Sequence, residues 1–237
     1  MNKLGRSAFA ALLCAGPLAL AGCADDTTSS SSSVFGSGTT TGTGTTPGGQ
    51  TVLVRLGTDN LVESVPPLYR KIWVAIVTDT NGNPVAGVPV TFALRSGSPF
   101  NPGVYQKGFW FVPAPPAVQA WNQAVTVTCN NEDANFNSIL DAFEDLNGNG
   151  LLEPPGVSDV TPSGVSDGIG VALATLTYPK NYATWNELTL EARIGAGTPA
   201  RATFFLVGSA EDYSNVAVAP PGAVSPFGSS GSCADTL

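Results

Sequence analysis

The chain has 237 residues, 43% of them hydrophobic, with 27 Gly and 19 Pro, so it holds enough apolar material for a packed core and leans towards strands and turns. Only 12% of residues are charged, with 10 Lys and Arg against 18 Asp and Glu and a net charge of −8, which excludes the basic footprint of a nucleic-acid-binding protein. There is no histidine, which removes the usual catalytic triads, two-His metal sites and the imidazole general base.

The chain opens MNKLGRSAFAALLCAGPLALAGC. Lys3 and Arg6 make a positive start, and 8–20 is an apolar run of 13 residues, too short to span a bilayer as a mature helix. It ends in Leu20-Ala21-Gly22-Cys23, with small side chains before the cysteine. This segment resembles a bacterial lipoprotein signal peptide with LAGC as its lipobox. The resemblance implies removal of 1–22, acylation of Cys23 and attachment to a membrane through the acyl chains, each buried methylene adding ~0.8 kcal/mol. By the sorting rule of such lipoproteins, Ala24 implies the outer membrane of a host that has one, with the domain facing the periplasm or the surface. An ordinary secretory signal with a chance cysteine is the plainer alternative. Cys14 leaves with the signal and Cys23 takes lipid, so Cys129 and Cys233 remain as an even pair in an oxidising compartment. They are expected to form a disulfide, the alternative being two independent buried thiols.

From 27 to 50, 20 of 24 residues are Ser, Thr or Gly. Nothing there buries a core, so 23–50 reads as a flexible tether of about 30 Å root-mean-square span. Beyond it short strands begin. Val52, Val54 and Leu56 alternate with Leu53 and Arg55, and 72–77 is continuously apolar, as a central strand of a sandwich would be. The run 79–84, Asp-Thr-Asn-Gly-Asn-Pro, is a turn, and 88–94 alternates again. Further strands are expected at 105–112, 124–128, 170–178, 187–194 and 202–207. About eight strands separated by turn signals, with no amphipathic helix, predict an all-β protein with a two-sheet sandwich.

The segments VTDTNGNPVAGVPVTFAL (77–94), SDGIGVALATLTYP (166–179) and LTLEARIG with ARATFFLVG (188–208) resemble a bacterial Ig-like domain, closest to the group 1 invasin/intimin type. The resemblance covers 51–208 and implies an Ig-like β-sandwich used as a stalk, spacer or adhesion module. A long insertion at about 112–165, with its acidic part at 129–160, departs from the family pattern. The stretch 209–237 is a Pro/Gly/Ser-rich tail.

Between Lys107 and Lys180 lie eight acids and no base, so that interval carries a charge equal to the whole net charge, and seven of its acids lie in the insertion. With Asp133 as position 1 of a twelve-residue calcium loop, Asn135 falls at 3, Asn137 at 5, Ile139 at 7 through its carbonyl, Asp141 at 9 and Glu144 at 12. A second register follows at once: Asp145, Asn147 and Asn149 at 1, 3 and 5, Gly150 at the sharp turn and Glu153 at 9. Position 12 is Gly156, so its bidentate ligand is missing, with Asp159 or a water as the substitute. Ser138 replaces the turn glycine of the first loop, and Pro154 and Pro155 forbid a following helix. The pair resembles the tandem Asp/Asn-rich calcium loops of dockerin or thrombospondin type 3 repeats more than an EF-hand sensor. Ile139 and Leu140 are expected to point inward and staple the loops. The bland alternative is a solvated insertion of Asx turns.

Phe109-Trp110-Phe111 and Trp185 read as core packing, with glycan stacking as the alternative. Lys180 is a candidate surface partner for the acidic island. No nucleophile elbow, Walker loop or dinucleotide fingerprint is present. The expectation is therefore a non-enzymatic envelope module for adhesion or protein contact, stabilised by calcium, with a protein or glycan partner. A structural spacer or accessory subunit is the alternative, and a carbohydrate-binding module the third reading.

Overall fold

The computed structural model describes residues 39–97 and 103–235. The signal segment, Cys14 and the lipidation candidate Cys23 lie outside the described residues. Strands and turns make up the fold as expected: it is all-β, with two antiparallel sheets face to face.

The first sheet, sheet A, runs β1 (Gly42–Thr45), β2 (Thr51–Thr58), β4 (Leu68–Asp79), β10 (Val171–Pro179) and β8 (Asp159–Val160), with β3 (Glu63–Val65) paired to the start of β4. Sheet B runs β12 (Ala200–Phe205), β11 (Glu187–Arg193), β5 (Pro89–Arg95) and β9 (Ser163–Val165). Period-two alternation aims one face of each strand at the other sheet. Val52, Val54 and Leu56 of β2, Trp73, Ala75 and Val77 of β4, Leu176 of β10, and Leu188 and Leu190 of β11 meet there in one buried cluster.

Two short crossings join the sheets at their sides. On one side β8 passes through Thr161 and Pro162 into β9, so one run of chain pairs first with β10 and then with β5. On the other side β1 pairs with β2, while the Thr43 amide donates to Thr198 O (2.9 Å) and the Thr40 amide to Arg201 O (2.8 Å) beside β12. This strand lies inside the stretch read as tether, so the folded domain begins before residue 51. Its glycines read as low complexity but are steric requirements. A Cβ on Gly42 would lie 2.3 Å from Ala200 N, and one on Gly44 would lie 2.5 Å from Ile194 Cβ.

Strand β4 also departs from expectation. Its continuous apolar run suggested burial on both faces, yet only Tyr69, Lys71, Trp73, Ala75 and Val77 are buried. The alternate residues Ile72, Val74 and Ile76 face outward and stay partly exposed. Lys71 is an inward-facing ammonium held by the carbonyls of Asp59 (2.5 Å) and Leu61 (3.3 Å), and burial lowers its pKa. Sheet B carries charge on its outer face instead. Glu191 bridges Arg201 (2.7 Å) and Arg95 (3.4 Å). Burial alone would raise the Glu191 pKa, but the two guanidiniums outweigh it and hold the carboxyl below its usual range.

The hairpin of β6 (Val104–Phe111) and β7 (Asn122–Asn130) forms its own two-stranded sheet, tied to the chain just before β11 by Gln106 N donating to Trp185 O (2.8 Å). A bulge between Lys107 and Gly108 reverses which face of β6 points inward. Tyr105 and Lys107 are buried before it, whereas after it Phe109 and Phe111 turn outward. Gly108 has φ 151, and a Cβ there would lie 2.0 Å from Ala124 O. A second core of Tyr105, Cys129, Trp185 and Phe227 fills the space beneath the hairpin. The tail follows β6, with Gly108 N donating to Gly228 O and Ser225 N to Gly108 O, each at 2.9 Å. The expected disulfide is present: Cys129 and Cys233 are joined at 2.07 Å and close a loop across 104 positions.

Candidate functional site: the acidic loop pair

Strand β7 leads directly into the acidic segment, and the disulfide sits at the junction. The segment contains almost no apolar core, so its form comes from side-chain oxygens that cap backbone amides. In the first loop the Asp133 carboxylate accepts from the amides of Asn137 (2.9 Å) and Ser138 (2.8 Å). Asn135 Oδ1 accepts from Asn137 N (3.1 Å), and Asn137 Oδ1 from Ile139 N (2.7 Å). Asp141 Oδ2 accepts from the amide side chains of Asn135 and Asn137, both at 2.8 Å. Those two bonds lower the Asp141 pKa. Glu144 closes the loop by accepting from the Ala134 (3.0 Å) and Asp141 (2.9 Å) amides.

Twelve residues on, the same bonds recur. The Asp145 carboxylate accepts from Asn149 N (3.0 Å) and Gly150 N (2.9 Å), Asn147 Oδ1 from Asn149 N (3.1 Å), and Asn149 Oδ1 from Leu151 N (2.7 Å). The side chains of Asn147 (2.8 Å) and Asn149 (3.1 Å) donate to Glu153. Positions 4 and 6 are left-handed in both loops: Phe136 (φ 60) and Ser138 (φ 62), then Gly148 (φ 72) and Gly150 (φ 76). Ser138 therefore adopts the turn that its side chain disfavours.

The sequence reading left the second loop without its closing carboxylate. In the structure Glu132 supplies it. Its two oxygens accept from Leu146 N (3.1 Å) and Glu153 N (3.0 Å), at the loop positions where Glu144 serves the first loop. Each loop is thus closed by the glutamate adjacent to the other arm: Glu144 precedes Asp145 and closes loop one, and Glu132 precedes Asp133 and closes loop two. Glu132 is 2% exposed, and burial first, then the Glu153 charge, raises its pKa. A signal for it was present as the twelve-residue repeat Glu-Asp-x-Asn-x-Asn at 132–137 and 144–149. Asp159, the proposed substitute, lies instead in β8 opposite Thr177.

Several other expectations need correction. Ile139 is 62% exposed and does not staple the loops inward. Lys180 does not face the acidic segment; it pairs with Asp212 at 2.8 Å and stacks over Tyr69. Trp185, by contrast, is buried as expected and donates to Gly222 O (2.8 Å), which leaves its glycan-stacking alternative without an exposed ring. Phe109 and Phe111, read as core, are 39% and 40% exposed.

The donors gathered in the two loops are carboxylates, carboxamides and a main-chain carbonyl, the oxygen chemistry of a hard cation. Among the described residues no group of three or more Asp, Glu, Cys or His converges as a metal cage. In each loop the amide nitrogens of two asparagines hold the position-9 carboxylate, Asp141 or Glu153.

Comparison with protein-family models, curated proteins and solved structures finds no match to this chain.

Proposed function

We propose that this chain is a lipid-anchored envelope protein presenting a calcium-stabilised, Ig-like sandwich for adhesion or protein–protein contact, without catalysis of its own. The observation that carries the reading is the repeated hydrogen-bond template of the two loops. In both, oxygens at positions 1, 3 and 5 are aligned by backbone amides, and a buried glutamate is fixed at the closing position.

Asp133, Asn135, Asn137, the Ile139 carbonyl, Asp141 and Glu144 would hold one ion. Asp145, Asn147, Asn149 and Glu153, closed by Glu132, would hold the other. A bound divalent ion offsets repulsion among these carboxylates and orders a segment with little core. The disulfide clips the C-terminal tail to the base of the same loops, so metal and cross-link would act together on one end of the domain. The lipobox at Cys23 supports attachment through acyl chains, and the Ser/Thr/Gly stretch after it supports display away from the lipid.

The test has two parts. The purified protein is melted with calcium and then with chelator, and calcium is expected to raise the midpoint and release heat on titration. Identical melts with no heat would overturn the metal reading. Protease treatment of intact cells should remove the domain if it is displayed for adhesion, and full protection would point to a periplasmic spacer.

A further inference from the structure

The outer faces of the two sheets differ in kind. That of sheet B is tied by the Arg95–Glu191–Arg201 ion pairs. That of sheet A presents Leu53, Ile72, Val74, Ile76, Val171 and Leu173 on three adjacent strands. The pairs Ile76–Val171 and Val74–Leu173 lie directly opposite one another, so these side chains form one apolar surface. Ile72 is 41% exposed and Leu173 58%. Arg55, opposite Ile76, lies beside this surface and has no ion pair among the described residues. Arg70 lies at one end and is bound to Glu63 (3.3 Å), and Asp159 flanks β10. A soluble domain rarely leaves so continuous an apolar surface without a use for it.

The acidic loops carry the complementary feature. Phe143 is 98% exposed, with Ile139 (62%) and Leu146 (60%) on the same pair of loops. Phe143 also holds φ 75, a conformation that a bulky side chain rarely adopts. Exposure and strain both oppose a phenylalanine here, and a contact that uses its ring would offset them. The surrounding charge is acidic, with Asp141 and Asp145 close in sequence and no base between Lys107 and Lys180. Two bound divalent ions would leave half of that charge in place.

We propose that the acidic loops of one copy dock through Phe143 onto the outer face of sheet A in a second copy. An apolar ring in an acidic surround meets an apolar face beside the Arg55 guanidinium, so apolar character and charge both match. Because the two surfaces differ, the contact is heterologous and extends head to tail. Anchoring of many copies to one membrane would raise their effective concentration and make a weak contact sufficient. The proposal is independent of the calcium reading, since neither the Phe143 nor the Leu173 side chain supplies an oxygen ligand.

The test is sedimentation of the mature chain carrying Cys23→Ser, which removes acyl chains as a cause of association. The unaltered surface should give an average mass that rises with concentration beyond that of a dimer. Phe143→Asp and Leu173→Lys should each weaken self-association at least about tenfold, with cooperative melting retained because both residues are exposed. An equimolar mixture of the two variants should recover a single one-to-one dimer and nothing larger, because one intact knob then meets one intact face. A monomer at every concentration would overturn the proposal, as would a mixture that stays monomeric. Binding to vesicles of anionic phospholipid that Leu173→Lys abolishes, without self-association, would assign the face to lipid and also overturn it.

Discussion

Glu132→Gln is the sharpest probe of the loop pair, because the proposed calcium loops give its effect different signs with and without the ion. In the metal-free protein the substitution removes a buried charge whose pKa is already raised by burial and by Glu153. It leaves one acceptor oxygen where Glu132 has two, serving Leu146 N (3.1 Å) and Glu153 N (3.0 Å). A lost hydrogen bond costs about 1 kcal/mol, and relief of the buried charge offsets it, so the calcium-free melting temperature should change little or rise. With calcium at about 100 times its dissociation constant each filled loop adds about 2.7 kcal/mol. At the affinity of extracellular modules, ~10⁻⁴ M, that requires calcium at about 10 mM. Two loops then add about 5 kcal/mol, or about 10 to 20 °C for a domain of this size. Glu132→Gln should roughly halve that increment and reduce the calorimetric stoichiometry from two ions towards one. Glu144→Gln should do the same through the other loop. The reasoning is refuted if Glu132→Gln keeps the full calcium increment while Glu144→Gln loses half of it, because the two glutamates occupy equivalent places.

Three further outcomes follow from the fold. Replacing both Cys129 and Cys233 by Ser releases a loop closed across 104 positions; the chain-entropy model places the loss at about 4.7 kcal/mol, to be read as a lower urea midpoint, and an unchanged midpoint would contradict it. Gly42→Ala places a Cβ 2.3 Å from Ala200 N, whereas the nearest atom to a Cβ on Gly48 is 3.9 Å away; the first should cost about 1–3 kcal/mol and the second close to nothing, measured by thermal melts. The Glu191 carboxyl is held below its usual range, so its ion pairs stabilise the fold above the unfolded pKa of about 4.5 and that contribution is lost as pH falls through the folded value. Glu191→Gln should therefore flatten the acid limb of the stability profile and lower stability at neutral pH by about 1–2 kcal/mol, discounted because Arg95 and Arg201 are partly exposed.

The all-β class, the position of most long strands, the disulfide and the twelve-residue spacing of the loops were legible in the chain itself. Each rests on local chemistry. Alternation at Val52, Val54 and Leu56 sets which side of β2 is buried, and Asp and Asn at alternate positions cap nearby amides whatever lies around them. Once Cys14 and Cys23 are set aside with the leader and its lipobox, Cys129 and Cys233 have one another as partners. What depended on distant contacts was not legible. The glycines of β1 look like linker until Ala200 and Ile194 are seen against them. Glu132 reads as a residue outside either loop until folding brings it to the amides of Leu146 and Glu153, 14 and 21 positions away. The apolar run of β4 says that both of its faces avoid charge, but only the tertiary structure decides that one face meets sheet B and the other meets solvent. A period of two marks sides of a strand, whereas what covers each side is settled by chain that lies far away in sequence.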